Sequence, residues 1–215
     1  MMTIKTLYTN AFAPNPLRVN LMLKLKGIEL ETIHIDLMKG EQLLPDYKKI
    51  IPEGTVPALI LDDGTILTDV VAILYFLEKT YPDTKNLMGH TACEQAQILG
   101  MIHHIHFTGL MSVAEIFRNG FLPGFEGRAL PAHIPIEQIP ELMDRGRTRI
   151  HYFYEQINIK LGTKDFLIGE HISQADIDLY VLCNFAGWVK ETFDPKVSPN
   201  LAAHHARVGE IIESC

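Results

Sequence analysis

The spacing of hydrophobic and polar residues predicts a strand, a helix and a second strand at the start of the chain. Residues 4–9, IKTLYT, are typical of a short strand. Asn15 is a favoured helix N-cap, Pro16 suits the first helical position, and Gly27 suits the end of the helix. Residues 29–37, ELETIHIDL, alternate in polarity like a strand. The pattern therefore predicts a βαβ unit.

A hairpin and a helix follow. After a weak helical pattern at residues 41–51, the segments VPALIL and TILT flank the turn sequence 62–64, Asp-Asp-Gly, which strongly favours a hairpin. The apolar spacing of DVVAILYFLEKTYP then predicts a helix that begins at Asp69 and closes at Pro82. The predicted order is βαβ, a helix, and ββα.

From about residue 91 the pattern predicts helices only. Thr91 and Glu94 are spaced as a capping box, which predicts a helix running through the 103–111 region. Residues 118–136 contain many glycines and prolines and are predicted to form a long loop. A further helix is predicted from Ile139 to about residue 160.

A second capping box lies near the end of the chain. Ser173 is a suitable N-cap, Asp176 follows it three residues later, and Ile172 and Ile177 are spaced as a hydrophobic staple. We expect a helix to begin here. The change in pattern predicts a domain boundary near residues 80–90, with domains at 1–82 and 88–215.

Composition is that of an ordinary globular protein of 215 residues, with 47% hydrophobic and 21% charged residues. The net charge of −7 disfavours nucleic acid and anionic membranes as partners. Three widely separated cysteines, without a CxxC or zinc-type spacing, favour a reducing compartment. The sequence shows neither a signal-peptide pattern nor an apolar run near ~20 residues. We therefore expect a cytoplasmic protein.

Four segments resemble the cytosolic glutathione transferase family, in the right order over nearly the whole chain: APNPLRVNLMLKLKGI (13–28), GTVPAL (54–59), DDGTILTDVVAIL (62–74) and SQADIDLY (173–180). The resemblance implies an α/β thioredoxin-like N-terminal domain, βαβαββα, followed by an all-helical (all-α) C-terminal domain. It also implies a homodimer, with glutathione as a cosubstrate and no separate cofactor.

The resemblance implies a glutathione site in the first domain. Val56, before Pro57, would pair its backbone with the cysteinyl part of glutathione across a cis peptide bond, with Thr55 beside it. Residue type alone favours a trans proline at a strand start. The γ-glutamyl carboxylate would bind at the helix start, where Asp69 and Val70 replace the family's acid-then-serine pair; a simple first-turn acid is the alternative.

Two further roles are less defined by the sequence. Gln42 is a positional candidate for the glycyl end of glutathione, and a solvated surface glutamine is its alternative. The family positions that activate the thiol carry Phe12 and Ala13, which have no hydroxyl or thiol, so a mixed disulfide at Ala13 is excluded. Some bacterial relatives use an asparagine at the position of Asn15. The ranked candidates for the thiol contact are Asn15, Asn10 and Thr9, whereas Tyr8 is expected to point inward. The alternative role for Asn15 is that of an N-cap.

A small hydrophobic electrophile is the expected second substrate, and its pocket is predicted to be lined by Phe12, His106, Phe107, Met111 and Trp188. Core or surface positions are the alternative for these residues. The HHIH run (103–106) has no nearby carboxylate or cysteine, so no metal site is expected.

Three functions remain open on the sequence. The leading hypothesis is a glutathione S-transferase that stabilises the thiolate and adds it to the electrophile. Ala13 and Val70 favour a catalytically weak binding or regulatory protein instead. A third alternative is another glutathione-dependent enzyme, of isomerase or peroxidase type.

Overall fold

The computed structural model describes residues 4–120, 124–131 and 134–215, which divide into two compact units, Met1–Asn86 and Leu87–Cys215. The first unit has a four-stranded sheet in the order β2-β1-β3-β4. Its strands are β1 (Ile4–Thr9), β2 (Thr32–His34), β3 (Ala58–Leu61) and β4 (Ile66–Leu67). β1 is parallel to β2 and antiparallel to β3, and β3 is antiparallel to β4. The predicted hairpin is therefore confirmed, whereas the strand predicted at 29–37 is only three residues long.

Three helices accompany this sheet: α1 (Pro14–Lys26), α2 (Pro45–Ile50) and α3 (Val70–Thr80), with a 3₁₀ turn at Glu41–Leu43 before α2. α1 ends at Gly27, whose φ of 64° is the left-handed conformation that glycine favours. A buried ion pair joins α1 to α3, with 2.9 Å between Lys26 Nζ and Glu78 Oε2. Lys26 Nζ also donates to the carbonyl of Lys85, so its charge is held by two acceptors.

The predicted start of α1 is wrong. The helix begins at Pro14 with Ala13 as its N-cap, and Asn15 lies inside the first turn. Pro14 and Pro16 both suit a first turn, because a proline there removes an N–H that has no intrahelical partner. The sequence therefore offered two starts, and the earlier one is used.

The second unit is helical. It contains α4 (Ala92–His104), a π-helical segment (Ile105–Leu110), α5 (Met111–Asn119), α6 (Leu142–Leu161), α7 (Gln174–Trp188) and α8 (Pro199–Glu213). The helix predicted to run through residues 103–111 extends to Asn119. α8 was not predicted. The predicted loop 118–136 begins after Asn119, and its residues 121–123 and 132–133 lie outside the described part of the chain.

The backbone of the π-helical segment lies close to α6 and α7. Gly109 lies in this segment, where a Cβ atom would overlap Leu182 of α7 and lie 3.3 Å from the Phe153 ring of α6. The Phe107 carbonyl in the same segment accepts a 2.6 Å hydrogen bond from Arg149 Nη2. A π-segment leaves backbone groups without the usual helical partners, and Arg149 satisfies one of them.

The start of α7 is buried and fully capped. Ser173 and Asp176 form the predicted capping box. The Asp176 carboxylate is 0% exposed and accepts hydrogen bonds from the Ser173 N–H and hydroxyl and from the Leu167 N–H, at 2.7–2.8 Å. Its fourth contact is with His204 Nε2 of α8, at 2.8 Å. Four partners therefore tie the start of α7 to α8 and to the preceding loop.

The first capping box is only partly as predicted. Thr91 accepts a hydrogen bond from the Glu94 N–H, but the Glu94 carboxylate accepts from the His90 N–H. Within the described ranges, the structure has no helix that is both long and apolar enough to span a membrane.

Candidate functional site

The register of the sheet places one end of β1, β3 and β4 close together in the first unit. Tyr8, near the end of β1, pairs with Ala58 at the start of β3. Leu59 pairs with Leu67, the last residue of β4. The loop into α1, the residues before β3 and the start of α3 therefore lie at one end of the sheet. The candidate site is built from these three segments.

Asn10 holds the loop between β1 and α1. Its side-chain oxygen accepts hydrogen bonds from the Phe12 and Ala13 N–H groups, at 2.9 and 2.8 Å. Its side-chain nitrogen donates to the Ile35 carbonyl, at 3.0 Å. Asn10 is thus the residue that caps the approach to α1, a role that the sequence had suggested for Asn15.

Thr9 is engaged in the same way. It is buried, and its hydroxyl donates to Asn20 Oδ1 at 2.8 Å. The Asn20 side-chain nitrogen in turn donates to the Asn10 carbonyl, at 3.0 Å. Two of the three thiol-contact candidates, Thr9 and Asn10, therefore use their side chains to hold the turn. No sequence signal distinguished Asn20 as their partner.

Asn15 is the exposed candidate at the start of α1. Pro14 and Pro16 have no N–H, and the Leu17 N–H is bonded to the Ala13 carbonyl at 3.0 Å. The Asn15 N–H is consequently the single backbone donor in the first turn without a partner among the described residues. The Asn15 side-chain oxygen accepts a long, 3.3 Å hydrogen bond from Arg18, and the side-chain nitrogen has no partner among the described residues.

The Val56–Pro57 peptide bond is cis, as the resemblance implied. In the described parts of the chain, neither the N–H nor the carbonyl of half-buried Val56 has a backbone hydrogen-bond partner. The neighbouring Thr55 carbonyl is occupied by the Tyr47 hydroxyl, at 2.7 Å. The free backbone pair at this point therefore belongs to Val56 alone.

Tyr47 and Tyr8 form part of the core next to this segment. Both pack in a small core with Ile35, Ile51 and Ala58, and their rings meet edge to face at 5.6 Å. Burial, and then the neighbouring Tyr8, raise the pKa of the Tyr47 hydroxyl, so it stays protonated and donates. Tyr8 points inward, as predicted. Tyr47 is a positioning residue that the sequence did not indicate.

The start of α3 is exposed and uncapped. Asp69 is the N-cap residue by its backbone, but its carboxylate makes no capping hydrogen bond. The Ile73 N–H bonds to the Asp69 carbonyl, whereas the N–H groups of residues 70–72 have no partner in the described structure. Such a helix end carries a partial positive charge and free donors, and both favour an anion. The Val70 side chain is mostly buried.

Gln42 is buried, which overturns the alternative of a solvated surface residue. It is 7% exposed, and its side-chain oxygen is enclosed without a hydrogen-bond partner among the described residues. Its backbone carbonyl lies 2.8 Å from where a Cβ on Gly54 would be, so only glycine fits opposite it. A buried amide oxygen without an internal partner is uncommon in proteins.

The predicted electrophile-pocket residues lie in both units. In the first unit, Phe12 is 76% exposed. In the second unit, Phe107 is exposed and stacks on His103 at 6.0 Å, while His106 and Met111 are partly buried. Trp188 is 50% exposed, and its ring packs against Phe117 and Phe185. Trp188 therefore belongs to an aromatic cluster within the helical unit.

Metal-ligating side chains do not converge in this site. Across residues 4–120, 124–131 and 134–215, no group of three or more His, Cys, Asp or Glu side chains is arranged to hold a metal ion. The site instead offers free backbone donors and acceptors, one uncapped carboxylate and one buried amide. Such groups recognise a peptide-like ligand with charged ends.

Several known proteins are similar in sequence to this chain. Residues 12–80 match the family model described as the N-terminal domain of glutathione S-transferase. Glutathione S-transferase Z1 of Arabidopsis thaliana is 46% identical over 66 residues, which are 31% of this chain and only 29% of that protein. Maleylacetoacetate isomerase of Pseudomonas aeruginosa is 37% identical over 78 residues, which are 35% and 37% of the two chains. Glutathione S-transferase GstA of Escherichia coli O157:H7 is 27% identical over 80% of this chain and 77% of its own.

Solved structures extend the similarity to the helical unit. A glutathione S-transferase domain-containing protein of Marinobacter aquaeolei has a TM-score of 0.81 at 28% identity, covering 95% of this chain and 97% of that one. Gtt2 of Saccharomyces cerevisiae has a TM-score of 0.84 at 25% identity, covering 97% and 99%. These matches confirm the predicted fold class, a thioredoxin-like unit followed by an all-helical one.

Proposed function

Because the chain belongs to the glutathione S-transferase family, we propose that it binds glutathione at the site described above and activates the thiol for attack on a small electrophile. The free backbone N–H and carbonyl of Val56 would pair with the cysteinyl residue of glutathione, and Gln42 and Thr55 would contact the glycyl side. Glutathione acts here as a cosubstrate, without a separate cofactor. A homodimer and a cytoplasmic location remain predictions.

The observation that carries this proposal is the uncapped Asp69 at the start of α3. An N-cap aspartate ordinarily bonds to its own helix. Here the carboxylate is left for an ammonium group, and the Val70 N–H is left for a carboxylate. The γ-glutamyl head of glutathione carries both groups on one carbon atom. The helix start therefore fits an α-amino acid better than it fits a simple anion.

The thiol would lie at the start of α1. A free thiol has a pKa near ~8.5, and only the thiolate is a strong nucleophile. The Asn15 N–H and side-chain amide would donate to the sulfur and favour its ionised form. The sulfur then bonds to the electrophilic carbon atom, the leaving group departs with its electron pair, and the thiol proton goes to solvent.

Calorimetry with two ligands tests the binding step. Glutathione is expected to bind with a dissociation constant below the millimolar range, and cysteinylglycine, which lacks the γ-glutamyl head, about ten- to a hundredfold more weakly. The reason is the loss of the charged contacts at α3. Absence of heat at millimolar glutathione, or equal affinity for the two ligands, would contradict the proposal.

A second candidate is a glutathione-dependent isomerase, which the similarity to maleylacetoacetate isomerase favours. That similarity covers 35% of this chain, so it bears on one part of the molecule. The two reactions differ in what happens to glutathione: transfer consumes one molecule per turnover, whereas isomerisation returns it. Mass spectrometry of glutathione after many turnovers separates them. Binding without turnover of either kind would instead indicate a binding or regulatory protein.

A further inference from the structure

Two arginines in the helical unit, Arg118 on α5 and Arg128 in the following loop, lack an ion pair. The nearby arginines of α6 all have a carboxylate partner. Arg145 and Arg149 pair with Glu115, and Arg147 pairs with Asp144 and Glu191. In the described part of the chain, no Asp or Glu lies within ion-pair distance of Arg118 or Arg128. Both guanidinium groups therefore carry uncompensated charge.

The two charges converge on one aromatic ring. The guanidinium carbon of Arg118 lies 5.1 Å from the centre of the Phe125 ring, and that of Arg128 lies 5.8 Å from it. Arg118 also donates from Nη1 to the Arg128 carbonyl, at 3.2 Å. Burial, and then the charge of Arg128, lower the pKa of the Arg118 guanidinium. A negative group between the arginines would relieve this repulsion.

Backbone hydrogen bonds hold the segment that carries Arg128. The Ala129 N–H donates to the Ile136 carbonyl at 3.0 Å, and the Ile136 N–H donates to the Gly127 carbonyl at 2.8 Å. Gln138 then donates to the Arg118 carbonyl at 2.6 Å. These bonds hold the backbone around Arg128 and connect the end of this loop to α5.

Aromatic rings continue from the arginines towards the surface. Phe125 packs on Phe117 at 5.1 Å between ring centres, and Phe117 packs on Trp188 at 5.9 Å. Phe185 contacts both Phe117 and Trp188. Half of Trp188 is exposed, so a ligand can reach the cluster. Positive charge therefore adjoins an accessible apolar surface.

We propose that Arg118 and Arg128 bind the carboxylate of a small aromatic molecule whose ring lies against the Phe125–Phe117–Trp188 cluster. A guanidinium fork matches the two oxygens of a carboxylate, and the neighbouring rings favour an aromatic body over a bare ion. The role of this ligand as the electrophile rests on the proposed function. Its binding does not, because all the residues involved lie in the helical unit.

Fluorescence of Trp188 tests the binding directly, because it is the only tryptophan of the chain. Phenylacetate, its neutral analogue phenylacetamide, and inorganic phosphate are titrated separately. Phenylacetate is expected to bind at least about tenfold more tightly than phenylacetamide, as a charge-assisted contact predicts. Equal affinity of these two would overturn the arginine part of the proposal. Phosphate binding as tight as phenylacetate would overturn the aromatic part.

Three variants locate the contact. Arg128→Gln and Arg118→Met are each expected to remove the tenfold preference for phenylacetate. Arg207→Gln is the matched control, because it removes the same charge from α8, where Arg207 pairs with Asp165. Arg118→Met could affect folding through the lost bond to the Arg128 carbonyl, so Arg128→Gln decides the outcome. A preference that survives in Arg128→Gln refutes the assignment.

Conjugation kinetics then ask whether the bound anion is a substrate. With 4-chloro-3-nitrobenzoate, the glutathione sulfur bonds to the ring carbon that carries chlorine, and chloride leaves with the electron pair. The ratio of kcat/KM for this acid to that for 4-chloro-3-nitrobenzamide, corrected for the uncatalysed rates, is expected to fall about tenfold in Arg128→Gln. An unchanged ratio means that the anion is not held as the electrophile. If the unmodified protein binds phenylacetate but turns over neither substrate, the proposed function is contradicted and the anion site is not.

Discussion

The starts of α3 and α7 both carry an aspartate, yet the two ends are used differently. At α7, Asp176 is fully buried and has four partners, three N–H or O–H donors and His204. At α3, Asp69 is exposed and makes no capping bond, and three N–H groups after it are free within the described structure. A helix start that satisfies itself contributes to stability, whereas one that leaves its donors free can bind a ligand.

The start of α1 is a third, intermediate case. Its capping is supplied from outside the helix by Asn10, so the first turn needs nothing from Asn15. Between two prolines, Asn15 retains a free N–H and an exposed side chain. The three helix starts therefore separate into one that is structural and two that are available for binding.

The largest effect is expected at α7. Asp176→Ala leaves several buried donors and His204 without their acceptor, which costs about 3–5 kcal/mol. The melting temperature should fall by roughly 6–20 °C in thermal unfolding. Asp69→Ala, the matched change at α3, should alter stability by less than about 0.5 kcal/mol because Asp69 is exposed and uncapped. Similar losses in the two variants would remove the distinction between these helix starts.

The next largest effect is expected at α3, as an increase in glutathione affinity. Val70→Ser adds a hydroxyl where the helix start would meet the γ-glutamyl carboxylate. A hydrogen bond to a charged partner contributes about 1.5–3 kcal/mol, so calorimetry should show glutathione affinity rising about ten- to a hundredfold. Val71→Ser is the control, because it places the hydroxyl one residue further along the exposed turn. Unchanged or weaker affinity in Val70→Ser would show that this helix start does not bind the γ-glutamyl group.

The smallest effect is expected at α1. Asn15→Ala should raise the pKa of the bound glutathione thiol by about one unit and lower the conjugation rate about tenfold below that pKa. The ultraviolet absorbance of the thiolate, measured against pH in the complex, reports the change. The melting temperature should hardly move.

Asn10→Ala is the comparison variant, because it is expected to lower the stability of the protein. It removes the acceptor of two N–H groups and should cost about 1–2 kcal/mol of stability. If Asn15→Ala lowers the melting temperature as much as Asn10→Ala does and leaves the thiol pKa unchanged, Asn15 is structural as well.

Local signals in the sequence were reliable wherever the partners lie within a few residues of each other. Ser173 and Asp176 are three residues apart, the Asp-Asp-Gly turn joins adjacent strands, and Gly27 ends its own helix; all three are as predicted. The predicted start of α1 was wrong because two prolines and two asparagines gave competing local signals. Local chemistry alone did not decide between them.

Two omissions, the burial of Gln42 and the proximity of Arg118 to Arg128, depend on contacts between distant segments. Gln42 is buried because the chain returns at Gly54 to lie against its carbonyl. Arg118 and Arg128 lie close together because the Arg118 side chain donates to the Arg128 carbonyl and the backbone on both sides of Arg128 pairs with Ile136. Neither contact leaves a pattern in the sequence, since each depends on how a loop closes rather than on the spacing of apolar residues.

Gly109 is a buried position where the helical unit has no room for a side chain. The side chain it lacks is replaced by Leu182 of α7 and by the Phe153 ring of α6. A single methyl group at this position would act as a wedge between helices, and α7 is the helix that ends at Trp188. We therefore expect a substitution at this buried glycine to shift α7 and so to change the surface around Trp188, with every surface residue unchanged.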